Sequence, residues 1–306
     1  VEQSTFQIVC DGSCDLSLSL LMRQNIVIVP YYISFDGKHY MKEATELPVR
    51  EFYQRLVDYP DQFPKTSMPT IQDYRDAFEP YAAVGRPVLC VCMTAKFSGS
   101  FQAAQIARSM TLEAFPDAKI CVLDSTFASG LEGMFVQEAA RMRDDGLSLE
   151  EAAEELEKLR PSGRVFFTIG NMAYLIKGGR AGKLAGRIID RIDIKPVVCL
   201  KKGEIYPAGI QHTRLAAEAR VMALAEQYLL ALEDGVEHYQ VATGYGYSPE
   251  EGETFRQRTM IRLAEHFALP DLPNYQIGAT IGTHAGPYPL GIGILRRYQS
   301  RNTGEV

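Results

Sequence analysis

Five short segments of the chain bring hydroxyl, carboxylate, guanidinium or imidazole groups together with glycines or prolines. The first is Val9-Cys-Asp-Gly-Ser-Cys-Asp-Leu16, which directly follows an apolar run. Asp11 and Ser13 there either serve a site or, with Asp15, cap the helix that follows. The second is Pro64-Lys-Thr-Ser-Met-Pro69. Its hydroxyls, Thr66 and Ser67, lie between two prolines, which keep the backbone extended because a residue before proline avoids the α region. A rigid loop ending in a helix cap is the alternative. The third, Thr94-Ala-Lys-Phe-Ser-Gly-Ser100, stands between a strand pattern and a helix pattern. Ser98 and Gly99 at a helix start suit one negative charge, a carboxylate or a phosphate, or else form a simple N-cap. The fourth, Leu175-Ile-Lys-Gly-Gly-Arg-Ala-Gly-Lys183, has neither the spacing nor the Lys-Ser/Thr ending of a phosphate loop. Its glycines would let Arg180 and the backbone approach a ligand closely. Beyond it, Lys183, Arg187 and Arg191 continue one helical face, read as a solvated basic face. The fifth is Ile281-Gly-Thr-His-Ala-Gly-Pro287, with His284 among small residues, either a cleft hydrogen-bonding group or a structural histidine.

The elements that must position these groups alternate in period. Strand-like runs occur at Phe6–Cys10, Ile26–Ile33, Val88–Met93 and Ile120–Leu123. Helical patterns lie between and after them at Glu51–Tyr59, Ile71–Ala83, Gly99–Phe115, Leu131–Arg143 and Ser148–Arg160. Thr70 with Asp73 and Ser148 with Glu151 are capping signals. Strand–helix–strand repetition predicts right-handed crossovers and a mainly parallel sheet with helices on both faces. Ligands of such sheets sit beyond the carboxyl ends of the strands, where several of the five segments fall. Pro161-Ser-Gly163 marks a boundary between an N-terminal α/β domain (1–160) and a C-terminal one (161–306). The second half predicts strands at Val165–Ile169, Pro196–Leu200, Glu204–Pro207, Tyr239–Thr243, Ile277–Gly282 and Gly291–Leu295, a mixed sheet. Lys201-Lys-Gly-Glu204 reads as a hairpin turn, and long helices cover Thr213–Leu232 and Ser248–His266.

Composition narrows the function classes. The chain is 46% apolar and 23% charged, too apolar to remain disordered. Its longest apolar stretch, Ile26–Phe35, has ten residues, short of a bilayer span, so no stable membrane insertion is expected. The opening residues carry no basic-then-apolar leader, and the expected location is the cytoplasm. The net charge of −6 argues against a nucleic-acid partner. The charge divides unevenly. Residues 1–160 hold 15 basic and 24 acidic side chains, and residues 161–306 hold 17 and 14, with much of the positive charge between Lys177 and Lys202, which leaves a local anion partner open. Cys10, Cys14, Cys90, Cys92, Cys121 and Cys199 read as reduced thiols, mostly buried. Cys10 and Cys14 have no second pair or nearby histidine, so no metal is expected.

Taken in order, the five segments resemble the DegV family of bacterial fatty-acid-binding proteins. Phe35-Asp-Gly-Lys38, Leu123-Asp-Ser125, Ile194-Lys-Pro196 and His212-Thr-Arg214 match it as well, and the resemblance spans nearly the whole chain. Cys10, Gly12 and Cys14 stand where the family commonly has hydroxyl residues, and Thr-Ala-Lys-Phe-Ser replaces the usual Ser-Ser-Gly-Leu-Ser. The resemblance implies two α/β domains with a long-chain fatty acid in an apolar tunnel between them. Its carboxylate would be held by Thr66, Ser98 and His284. Asp11, Ser13, Ser67, Gly99, Arg180 and Thr283 would stand in the head-group vicinity. It further implies that the acid is offered to a separate fatty acid kinase, which forms an acyl-phosphate from ATP for phospholipid synthesis. The protein itself would then be a carrier without catalytic residues or cofactor. The composition suits an adaptable apolar tunnel, with 14 Phe, 16 Tyr and 10 Met. The competing function is a serine-dependent lipid hydrolase or acyltransferase using Ser98 and His284, for which no Gly-x-Ser-x-Gly elbow is present.

Overall fold

The computed structural model describes residues 5–181 and 194–300. The contiguous apolar runs of the first half become the parallel strands β1 (Gln7–Asp11), β2 (Ile26–Val29), β6 (Val88–Cys92) and β7 (Ile120–Asp124). They pair in the order β2-β1-β6-β7. Such strands are apolar along their whole length because both faces are covered. Val9, Cys90 and Cys92 pack on one face, against α3 (Ile71–Ala82) and α4 (Ser100–Ala114). Ile8, Cys10, Leu89 and Val91 pack on the other, against α5 (Gly130–Asp144) and α6 (Leu149–Leu159).

The expected strand Ile26–Ile33 is broken at Pro30, which has no N–H for a central ladder. Its second part becomes β3 (Tyr32–Ser34), which pairs antiparallel with β4 (Met41–Lys42) and β5 (Lys65–Ser67) in a separate small sheet. The Pro64–Pro69 loop is therefore partly a strand. The short α1 (Leu18–Arg23) and α2 (Val49–Asp58) complete this half. The capping boxes at Thr70/Asp73 and Ser148/Glu151 form as the spacing predicts.

The second half forms a mixed six-stranded sheet. Its strands are β8 (Arg164–Thr168), β9 (Lys195–Lys201), β10 (Glu204–Gln211), β11 (Tyr239–Tyr245), β12 (Asn274–Gln276) and β13 (Leu290–Arg296), in the order β10-β9-β8-β13-β11-β12. The turn joining β9 and β10 places Lys202 and Gly203 at positive φ, as a two-residue hairpin requires. The helices α8 (Arg214–Leu230) and α9 (Pro249–Leu263) cover one face of this sheet. The opposite face meets α5, the loops beyond β1 and β6, and the short α7 (Ala173–Lys177).

One expectation fails in type. Ile277–Gly282 is not a strand; β12 ends at Gln276 and the helix α10 (Ala279–Ala285) follows. Its β-branched and glycine residues have poor helix propensity. Tertiary contacts override that preference. Asp15 accepts from Gly278 N (2.9 Å), Glu43 accepts from Thr280 N (3.1 Å) and the Thr280 hydroxyl, and Gly282 lies against Phe52 and Tyr53.

Candidate functional site

Strands that end at the same edge gather their following loops at one place. Here the loops after β2, β6 and β7 face the inner side of the mixed sheet and help enclose a cavity of about 220 Å³. Its wall is largely apolar and includes Met93, Phe97, Leu131, Met134, Phe167 and Leu200. Polar groups from Thr66, Ser98 and His284 also line it. Thr66 comes from β5, Ser98 from the turn before α4, and His284 from α10.

Thr66 Oγ1 lies 3.1 Å from His284 Nε2, joining residues 218 positions apart. The other ring nitrogen, Nδ1, is buried and has no hydrogen-bond partner among the described residues. It lies against Gly178, where a Cβ would stand 2.2 Å from it. Burial, and secondarily the charge of Arg180, lowers the pKa of His284 to about 4. The imidazole is therefore neutral near pH 7, with one N–H to donate. Ser98 Oγ accepts from the Tyr31 hydroxyl (2.9 Å) and from Ser100 N (3.2 Å). Its partner is thus a tyrosine that stands inside the Ile26–Phe35 apolar run. The only local cue was its place just beyond β2, at the carboxyl end of a parallel strand.

Arg180 lines the cavity, but its guanidinium is anchored to the backbone. Nε donates to Phe97 O (3.2 Å) and Nη1 to Gly178 O (2.7 Å). It ties the serine loop to the Gly-Gly-Arg loop. The two glycines serve local packing: Gly178 makes room for the His284 ring, and Gly179 adopts a left-handed φ of +69° after α7. Gly99 lines the cavity and leaves space for Met68, whose sulfur a Cβ would meet at 2.8 Å. The continuation of the basic face, Lys183, Arg187 and Arg191, lies outside the described residues.

Four residues expected near a head group do not line the cavity. Ser67 alternates with Thr66 along β5 and is exposed on the other face. Thr283 is buried and donates to Ala279 O (2.8 Å) within α10. Asp11 and Ser13 lie beneath the site in a buried network. Asp11 caps the turn Gly12–Cys14 through Ser13 N (3.1 Å), so the capping alternative holds in part. Asp11 also accepts from Ser13 Oγ (2.8 Å), Met93 N (2.9 Å) and Ser100 Oγ (2.8 Å). Ser13 Oγ additionally contacts Glu132 Oε2. One hydroxyl carries one proton, so one of the two carboxyls must supply its own. Burial, reinforced by the charge of Asp11, pushes Glu132 well above the usual carboxylate range; burial raises Asp11 as well, but hydrogen bonds from Met93 N, Ser100 and Ser13 oppose that shift, which favours the proton on Glu132. Asp11 thereby fixes Ser100, whose N–H holds Ser98 Oγ.

Asp15 does not cap the following helix, whose N-cap is Ser17; with Glu43, which went unrecognised in the sequence, it forms a second buried acidic pair. The pair pins the start of the helix that carries His284. Burial raises the pKa of Glu43 to about 7 despite its hydrogen bonds to α10.

A family model described as "Uncharacterised protein, DegV family" matches residues 5–297. A DegV domain-containing protein of Clostridium acetobutylicum is 29% identical over 287 residues, covering 94% of this chain and 96% of its own. Among solved structures, a stearic-acid-binding protein of Eubacterium ventriosum is 39% identical with a TM-score of 0.91, covering 96% of this chain and 99% of its own. A fatty-acid-binding DegV family protein of Thermus thermophilus is 25% identical with a TM-score of 0.84, covering 95% and 99%.

Proposed function

This chain belongs to the DegV family, and we propose that it binds a long-chain fatty acid and presents the carboxylate to a separate fatty acid kinase. The observation that carries this reading is a single cavity whose wall is apolar and whose polar groups include Thr66, Ser98 and His284. Burying each CH₂ of an acyl tail contributes about 0.8 kcal/mol, so a dry wall favours a long chain. The carboxylate costs several kcal/mol to desolvate unless it is hydrogen-bonded. The hydroxyls of Thr66 and Ser98 and the N-terminal end of α4 offset that cost, with the neutral His284 donating its Nε2–H to Thr66 Oγ1 and so leaving the Thr66 proton for the carboxylate. The fatty-acid ligands named for the Eubacterium ventriosum and Thermus thermophilus relatives support the same ligand class.

Presentation to a kinase accords with the chemistry of the head-group end. Arg180 is engaged with backbone carbonyls and does not form a bidentate clamp around the site. A carboxylate held by neutral donors keeps its oxygen nucleophilic toward the terminal phosphorus of ATP. In that step the carboxylate O–P bond forms, the bond to the ADP leaving group breaks, and an acyl-phosphate and ADP result. The kinase supplies the ATP site.

The hydrolase reading needs Ser98 within hydrogen-bonding reach of a base. Ser98 is bonded to Tyr31 and Ser100, while His284 Nε2 faces Thr66, and the carrier reading accounts better for that pairing. Ester hydrolysis that is lost in Ser98→Ala would reinstate the hydrolase.

The direct test is denaturing extraction of the purified protein followed by mass spectrometry, expected to yield a stoichiometric long-chain acid. Titration then locates the head group. A hydrogen bond to a charged group contributes roughly 1.5–3 kcal/mol, so Ser98→Ala is expected to weaken binding about 10- to 100-fold with the fold retained. His284→Ala is expected to lower kinase-dependent acyl-phosphate formation more than it lowers binding. Wild-type affinity in Ser98→Ala would place the carboxylate elsewhere.

A further inference from the structure

Gly293 lies in β13, between β8 and β11, and lines the cavity. The side chains next to it along the strand, Ile292 and Ile294, point the other way and are fully buried beneath α8 and α9. Gly293 nevertheless keeps some accessible surface in a central strand, which the cavity accounts for. Around it stand Met134 and Leu131 of α5 and its cross-strand partner Ala242, all buried and all lining the cavity. The same cavity is also lined by the exposed Arg180 and Met68 and the half-buried Thr66 and Ser98. The polar groups thus belong to the more accessible part of the lining, and the residues around Gly293 are buried and apolar.

A glycine in a strand interior is destabilising relative to alanine, so its position asks for a cause. Two common causes do not operate here. Gly293 is absent from the residues with positive φ. A Cβ built on it would meet Met134 Sδ at 3.5 Å and Leu131 atoms at 3.9 Å, which is ordinary contact. The approach of α5 thus does not require a bare backbone. Gly291, two residues earlier, differs: its Cβ would meet Phe167 Cβ at 3.0 Å and Phe166 O at 3.3 Å. Close packing accounts for Gly291 and leaves Gly293 unexplained.

We infer that Gly293, with Met134, Leu131 and Ala242, forms the closed end of the acyl cavity and sets the longest chain the protein accepts. This assignment rests on the fatty-acid reading above. The methyl-sized space at residue 293 is held open for the ligand's tail. Filling it shortens the cavity from its closed end and leaves the head-group residues where they are.

The experiment measures, on delipidated protein, the affinities for tetradecanoic, hexadecanoic and octadecanoic acids. The variants are Gly293→Ala, Gly293→Val and Met134→Ala, with melting temperatures recorded alongside. In Gly293→Ala the octadecanoate-to-tetradecanoate affinity ratio is expected to fall by about fourfold for each methylene that no longer fits. The ligand-free Gly293→Ala protein should melt no lower than wild type, because the unfolded chain loses entropy. Gly293→Val should lower the ratio further, and Met134→Ala, which enlarges the same end, should raise it. An unchanged ratio in both Gly293→Ala and Met134→Ala, with wild type binding the acids, would overturn the assignment. So would equal loss for all three lengths. A wild-type protein that binds none of the acids would overturn the fatty-acid reading instead. The Ala variants carry the test if Gly293→Val does not fold.

Discussion

Asp11 illustrates how a carboxylate beside a binding site acts without touching it. Four donors converge on its two oxygens, from Ser13 N, Ser13 Oγ, Met93 N and Ser100 Oγ. An ionised carboxylate can accept all four, whereas an amide must turn its NH₂ toward donors. Asp11→Asn is therefore expected to cost at least about 2 kcal/mol, the scale of a buried unsatisfied group. Glu132 is the converse case. Its protonated carboxyl already acts as a donor, so Glu132→Gln keeps the neutral hydrogen-bonding pattern toward Ser13. Denaturant titration of the two variants should give a large loss for Asp11→Asn and a small one for Glu132→Gln. Equal losses would mean that the proton is not on Glu132.

At the scale of elements, α10 depends on partners distant in sequence. Its first N–H groups and the N–H of Gly278 before it are satisfied by Glu43 and Asp15, and its last turn carries His284 to Thr66. Glu43 connects the helix to pH. Its folded pKa, about 7, lies above the ordinary carboxylate value of about 4.5. Between those values the folded state binds more protons than the unfolded state, so stability falls as pH rises. The contribution is fully present below about pH 4.5 and is lost as pH rises through about 7. His284 has the opposite sign. Its pKa is depressed to about 4 from 6.5, so its contribution is present above pH 6.5 and is lost as pH falls through about 4. Glu43→Gln should therefore raise the melting temperature relative to wild type more at pH 8 than at pH 5. A difference independent of pH would show that Glu43 does not titrate in this window. The helix α5 is a second element defined by tertiary contacts. It is buried on most sides because it lies between the two large sheets, and its Glu138 accepts from Gln240 Nε2 (2.5 Å) and Tyr298 N (2.7 Å) of the second half.

For the whole molecule, the division near Pro161 separates the strands of the parallel sheet from those of the mixed one. One apolar cluster nevertheless crosses it: Phe127, Leu131 and Met134 pack with Ala242 and Leu295. The hairpin turn also docks on the serine loop, where Thr94 Oγ1 donates to Gly203 O (3.1 Å). We propose two α/β domains in topology that unfold as one. Calorimetry of the ligand-free protein should show a single transition with equal calorimetric and van't Hoff enthalpies. A bound acid at about 100 times its Kd should stabilise that transition by about 2.7 kcal/mol. Two resolved transitions would mean that the halves fold independently.

Much of this architecture was legible locally. Strands buried on both faces are continuously apolar, caps need only a hydroxyl and an acid three residues apart, and the glycine of the Lys-Lys-Gly-Glu turn marks a left-handed position. The order of the five polar segments pointed to Thr66, Ser98, Arg180 and His284, and all four line one cavity. Tertiary structure decided the rest. Tyr31 as the partner of Ser98 was hidden because it sits in an apolar run, and its hydroxyl matters only when β6 brings its loop alongside. The helical state of Ala279–Ala285 was hidden because its donors are satisfied by Glu43, more than two hundred residues earlier. Burial raises both Asp11 and Glu132, which are the same chemistry in sequence; the four donors on Asp11 oppose its shift, while the charge of Asp11 adds to that of Glu132. Local preferences are written in neighbouring residues, whereas desolvation and long-range pairing exist only once the chain has closed on itself.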